Sequence, residues 1–166
     1  MKNNAQLTVR HLGSLDYLKG LQAMRSYTDR RTAADADEIW LLEHPPVFTQ
    51  GQAGKAEHVL AAGDIPVVQA DRGGQITYHG PGQLVAYPII DLKPSRKDVR
   101  KYVWSLEEAM IRTCADFGVP ATRSAGLNGA WVEDRKVGAV GVRISRWVTM
   151  HGLALNVSTD LRHFDL

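Results

Sequence analysis

From Val99 to Phe117 the apolar residues Val99, Tyr102, Val103, Leu106, Met110, Cys114 and Phe117 recur at helical spacing, and Gly118 stands where such a helix ends. The segments after it, Ala130 to Val132, Val137 to Ile144 and Leu153 to Val157, read as strands with no further helix between them. That order excludes the regular strand–helix alternation of a doubly wound parallel sheet. Upstream, Gln6 to His11 reads as an opening strand, and Ser14 as the N-cap of a helix with Tyr17, Leu18, Leu21 and Met24 on one side. Ile39 to Leu42 is a short buried strand that His44-Pro45-Pro46 stops, and Pro66 to Ala70 and Gln83 to Leu92 are further strands. The expectation is an α+β fold: helices packed with a mixed sheet whose strands are mostly joined as hairpins.

The size of 166 residues fits one domain, expected over residues 1–166. No apolar run is long enough to span a bilayer, and MKNNAQLTVRHLG lacks the apolar stretch of a secretory signal. A single cysteine, Cys114, forms no intramolecular disulfide and no CxxC half-site. A reducing, cytoplasmic location follows as an expectation. Twenty basic against 18 acidic residues give a net charge of +2, with only short basic groups at Arg30-Arg31 and Arg96 to Lys101, so nucleic acid is not an indicated partner. The six histidines include no HExxH and no ligand-spaced pair, which predicts no metal, and no GxxxxGK[ST] loop predicts no nucleotide phosphate site. Asp71, Asp91 and Asp160 are expected to cap turns or strand ends.

The unusual stretch runs from Asp71 to Gln83 and packs four glycines among polar side chains. Gly73-Gly74 permits close approach to the main chain, whose N–H groups bind a carbonyl or anionic oxygen, with Tyr78, His79 and Gln83 as nearby donors. The same residues also fit a glycine-rich turn that leads into a strand, with His79 bonded to a backbone carbonyl.

Arg72-Gly73-Gly74-Gln75-Ile76-Thr77-Tyr78-His79-Gly80-Pro81-Gly82-Gln83 resembles the signature of the octanoyltransferases, the lipoyl(octanoyl) transferases of lipoate biosynthesis. Three further blocks are similar in order and spacing: Glu43 to Gly51, Asp134 to Arg143, and His151 to Val157. The resemblance runs from about residue 6 to the end. It implies the mixed-sheet fold of the biotin and lipoate protein ligases. It also implies transfer of octanoyl from octanoyl-acyl carrier protein to a lysine of lipoyl domains, those of 2-oxoacid dehydrogenases and the glycine cleavage H protein, with no cofactor. Carried over residue by residue, the substrate site comprises Arg72, Gly73, Gly74, Gln75, Ile76, Thr77, Tyr78 and His79, then Ala139, Val140 and Gly141, then Gly152, Leu153 and Ala154. Small residues there leave room for an acyl chain, which burial holds by about 0.8 kcal/mol per methylene; close strand packing needs the same small residues.

In that family the acyl group rests on a cysteine that a lysine activates, and the lysine carries over to Lys136. Read alone, Lys136 beside the polar turn Glu133-Asp134-Arg135 is a solvated surface charge. The resemblance implies an ammonium that favours a thiolate and moves its proton. The cysteine does not carry over: the family's Pro-Cys-Gly segment follows an Asp-Leu-x-x-Phe block, and here the sequence ends at Asp160-Leu161-Arg162-His163-Phe164-Asp165-Leu166. Cys114, in an apolar helical stripe, reads as a packing group. The expectation is a nucleophile beyond Leu166 in a longer chain; the alternative is a truncated protein unable to form the acyl-enzyme. Two other readings remain open, an ATP-dependent lipoate or biotin ligase and an acyl-binding module that lacks its nucleophile.

Overall fold

The computed structural model describes residues 6–55, 62–95 and 97–165. Residues 1–5, part of the stretch read for an export signal, and Arg96 of the second basic group lie outside them. The N-terminal part runs β1 (Leu7–Ser14), α1 (Tyr17–Arg30), β2 (Asp37–Glu43), β3 (Val47–Gln50), β4 (Val67–Gln69), β5 (Ile76–His79) and β6 (Gln83–Ile89). After α2 (Val99–Asp116) come β7 (Thr122–Ser124), β8 (Leu127–Val132), β9 (Arg135–Ser145) and β10 (Val148–Asn156), then a 3-10 segment, Leu161–Asp165.

Seven strands form a mixed sheet in the order β1-β2-β6-β10-β9-β8-β7, and β4-β3-β5 form a small second sheet. The expected mixed sheet is present, with hairpins joining β8 to β9 and β9 to β10. Two pairings are parallel, β1 with β2 across α1 and β3 with β4. The chain thus holds one strand–helix–strand unit at its start, and the sheet divides in two where one was expected.

Strand alternation puts the helices on opposite faces. Ala154 of β10 joins Tyr17, Leu21 and Met24 of α1, with Trp40, Leu42, Val85, Tyr87 and Met150, in one cluster. Its neighbour Leu155 joins Met110 and Cys114 of α2, with Ala130, in another. Burial on both faces makes β10 the centre of the molecule.

Several local expectations change. Ser14 is the last residue of β1, and Asp16 caps α1, accepting the Lys19 N–H at 3.1 Å. Leu18 and Phe117, placed in apolar stripes by spacing, are 49% and 82% exposed, because each lies at the margin of its helix. The prolines do end β2, yet the chain resumes at once as β3, whose Val47, Phe48 and Thr49 are buried. Gly118 holds a φ of +76° and ends α2 as expected, its N–H on the Ala115 carbonyl at 3.0 Å.

Candidate active site

Arg72 holds the glycine loop together. Only 7% exposed, it donates from Nη1 to the Gly73 and Gln75 carbonyls, both at 2.9 Å, and from Nη2 to the Thr49 carbonyl at 2.8 Å and its Oγ1 at 2.7 Å. Backbone bonds zip the loop to the segment after β3: Gly51 N–H to the Gln75 carbonyl, Gln52 to Arg72 and Ala53 to Gly74, at 2.9 to 3.0 Å. Gly51 has no room for a side chain, since a Cβ there would fall onto the Gly74 carbonyl and within 2.5 Å of Arg72 Nη1. Gly51→Ala is therefore expected to destabilise the chain by about 2 kcal/mol or more, read as a lowered midpoint in thermal unfolding; an unchanged midpoint would mean the loop is not held this way.

The loop then lies against β9. Gly73 N–H donates to the Val142 carbonyl at 3.0 Å, and a Cβ on Gly141 would stand 3.1 Å from Arg72 Cδ. Across to β10, Gly141 pairs with Gly152 and Ala139 with Ala154. The structure so brings together Arg72, Gly73, Ala139, Gly141, Gly152 and Ala154. Val140 and Leu153 point the other way and pack under α2 beside Leu92, Tyr102 and Leu106. Gly74 and Gln75 are exposed. Ile76 to His79 form β5 of the small sheet. There Tyr78 packs on Phe48, His163 and Phe164, and His79 turns its Nδ1 inward to Gln83 Oε1 at 2.6 Å.

Lys136 reaches this face through a bulge. β8 and β9 pair Ala130 with Gly138 but Trp131 with Lys136, so Val137 is one residue too many for a regular ladder. Ala130 and Gly138 face α2, a Cβ on Gly138 falling onto Met110 Sδ. Trp131 and Lys136 take the opposite face, the one Ala139 and Gly141 share, and Lys136 Nζ stands 5.1 Å from the Trp131 ring centroid. The Lys136 side chain is exposed.

Spacing missed a polar cluster behind the loop. Asp71, expected to cap a turn, instead accepts the Nε2–H of His151 at 2.7 Å and bonds Arg25 at 3.0 Å and Arg143. It ties the loop to α1, β9 and β10 together. Desolvation acts most strongly on its carboxyl and pushes it up, but His151, Arg25 and Arg143 jointly hold it down at about 2. His151 is 2% exposed, with φ +57°, a left-handed conformation that strains a non-glycine residue just before Gly152. Burial lowers its pKa, so it is neutral near pH 7 and donates to Asp71.

Farther in, His44 donates from Nδ1 to the Leu15 carbonyl and accepts the Tyr87 hydroxyl at Nε2, both at 2.6 Å. Tyr17 packs between His44 and His79, with its hydroxyl buried and unpartnered among the described residues, and burial pushes it up to about 12. Burial likewise pushes His79 down to about 3. His44 and His151 stood in motif blocks of the sequence, but their partners are 29 to 80 positions distant, which no spacing rule reaches. Asp91 and Asp160 do behave as caps, accepting the Lys93 and Arg162 N–H groups. Cys114 is buried under α2, and that burial raises its pKa, as suits a packing group.

The lipoyl protein ligase A/B catalytic domain family matches residues 16–166. Octanoyltransferases of Shewanella sp. W3-18-1 and Shewanella putrefaciens are each 54% identical over 158 residues, 95% of this chain and 73% and 72% of theirs. The chain belongs to the octanoyltransferase family. Membership makes it a transferase enzyme. Among solved structures, a Thermoplasma acidophilum protein with bound lipoic acid shares the fold of the family member at a TM-score of 0.78 and 16% identity, over 95% of this chain and 70% of that one. A lipoate-protein ligase A bound with ATP does so at 0.68 and 14%, over 95% and 68%. Among the described residues, no helix is long and apolar enough to cross a membrane.

Proposed function

We propose that this family member moves an octanoyl group from octanoyl-acyl carrier protein to a lysine of lipoyl domains through a cysteine thioester. The observation that carries the reading is the joining of the three small-residue segments on the face of β9 that also bears Lys136. The 166 residues then form the body of one catalytic domain, and the thiol comes from outside them, the relatives being longer than the matched part.

In the first half, a thiolate favoured by the Lys136 ammonium attacks the carrier thioester carbonyl. The new S–C bond forms, the carrier C–S bond breaks, and the carrier thiol leaves with a proton from Lys136. In the second, the lipoyl-domain amine attacks the enzyme thioester, the amide bond forms, the S–C bond breaks, and the amine proton returns to Lys136. The Gly74 backbone N–H is the loop's candidate to steady the tetrahedral oxyanion, the Gly73 N–H being taken by the Val142 carbonyl. Arg72 spends its guanidinium donors on the loop's own carbonyls and on Thr49, so its part is to shape the loop.

The test is intact mass of the full natural gene product after incubation with octanoyl-acyl carrier protein, before and after hydroxylamine. One octanoyl adduct that hydroxylamine removes is expected. No adduct, together with ATP-dependent attachment of free lipoate, would replace the reading with a ligase; binding without turnover would leave an acyl-binding module.

A further inference from the structure

We propose that Trp131 is a positioning residue for Lys136, holding its ammonium against the indole face so that it stands over the small-residue surface of β9 and β10; this rests on the role given to Lys136 above. Three observations converge on it. Nζ lies 5.1 Å from the ring centroid, within the range of an attractive cation–π contact. The β9 bulge makes Trp131 and Lys136 direct cross-strand partners, so the backbone enforces the contact. The indole Nε1–H is buried without an acceptor among the described residues. A tryptophan whose N–H goes unsatisfied is a poor choice for packing alone, and its ring face is what the lysine uses.

The surroundings keep the pair in place. Glu107 of α2 accepts the Gly129 N–H at 2.9 Å from Oε1 and the Arg123 Nε–H at 3.2 Å on Oε2, pinning β8 two residues before Trp131. Gly129 has a φ of +106°, and a Cβ there would fall onto the Gly138 carbonyl and stand 3.5 Å from Lys136 Cε. The lysine stem therefore passes over a residue that has no side chain, and its head ends on the next residue but one.

The contact is read without catalysis from the ring-current shift of the Lys136 Hε protons in proton–carbon NMR spectra of the full-length protein; the exposed Lys19 and Lys101 are internal references. Protons held over an indole face move upfield, so the Lys136 Hε signals are expected upfield of both references in the unaltered chain and level with them in Trp131→Leu. Trp131→Phe, which keeps a ring face, is expected to retain part of the displacement. Lys136 signals level with the references in the unaltered chain overturn the proposal.

Should Trp131→Leu not fold, the contact is read from its other side. The Trp131 indole ring signals are expected to shift in Lys136→Gln while those of Trp40, Trp104 and Trp147 stay in place; unshifted Trp131 signals overturn the contact. In the full-length enzyme, Trp131→Leu is expected to lower kcat about tenfold with KM nearly unchanged, with part restored in Trp131→Phe. Loss of the Lys136 ring-current displacement with unchanged kcat would uphold the contact and overturn the catalytic role of Lys136 instead.

Discussion

Replacing Lys136 by methionine in the full-length protein is expected to lower octanoyl transfer by about 10²- to 10⁴-fold, the usual contribution of a positioned proton-transfer group. The fold is expected to hold, because the side chain is exposed and its described contact is one ring face. Stability should change by no more than about 0.5 kcal/mol, as for most surface substitutions. Methionine keeps an unbranched apolar stem, one atom shorter, while it removes the charge and the proton. A loss of transfer with an unchanged unfolding curve therefore assigns the loss to chemistry. Full transfer by the variant would remove Lys136 from the reaction.

The second large effect is expected at Asp71, and it is one of stability. Arg25 and Arg143 are 48% and 42% exposed, so solvent screens their pairs with Asp71 and each adds little. His151 is different: its side chain is 2% exposed, and loss of the carboxylate leaves a buried N–H with no acceptor. Asp71→Ala is expected to cost about 2 to 3 kcal/mol for that reason. Asp71→Asn, turned to offer its carbonyl to Nε2, should recover part of it.

Acid unfolding gives an independent reading of the same carboxylate. Its folded value of about 2 lies below the unfolded 3.8, so its contribution is present above pH 3.8 and is lost as the pH falls toward 2. The unaltered chain should lose stability across that window, and Asp71→Asn should lose correspondingly less. Equal slopes for the two would mean that Asp71 carries no net favourable interaction in the folded state.

Much of the architecture was legible because local rules govern it. The α2 stripe and its Gly118 end follow from helical periodicity, and the strands C-terminal to it from runs of apolar residues. Errors arose where one residue type serves two purposes. Ser14 has the chemistry of an N-cap but completes the β1 ladder, and Asp16, two residues on, does the capping. Pro45 and Pro46 end a strand without preventing another from starting at Val47.

The candidate site was legible in part through its motif blocks. Gly73 is hydrogen-bonded to Val142, the neighbour of Gly141, and Gly141 pairs with Gly152. Val140 and Leu153 were drawn in with their neighbours, yet strand alternation sends them under α2. The Asp71 hub was illegible for a different reason. Arg25, Arg143 and His151 lie 46 to 80 positions from it, and only the folded sheet brings them near.

The extra residue in β9 gives this hairpin an uneven tolerance of change. Which way Lys136 points is fixed by its pairing with Trp131, and the bulge absorbs the extra residue without disturbing that pair. Substituting Val137 by another apolar residue keeps its packing beneath α2. Removing Val137 leaves an ordinary ladder, with Ala130 opposite Gly138 and Trp131 opposite Lys136, so the amine keeps its face; the hairpin absorbs at this position a one-residue gap that would turn side chains over in an unbulged ladder.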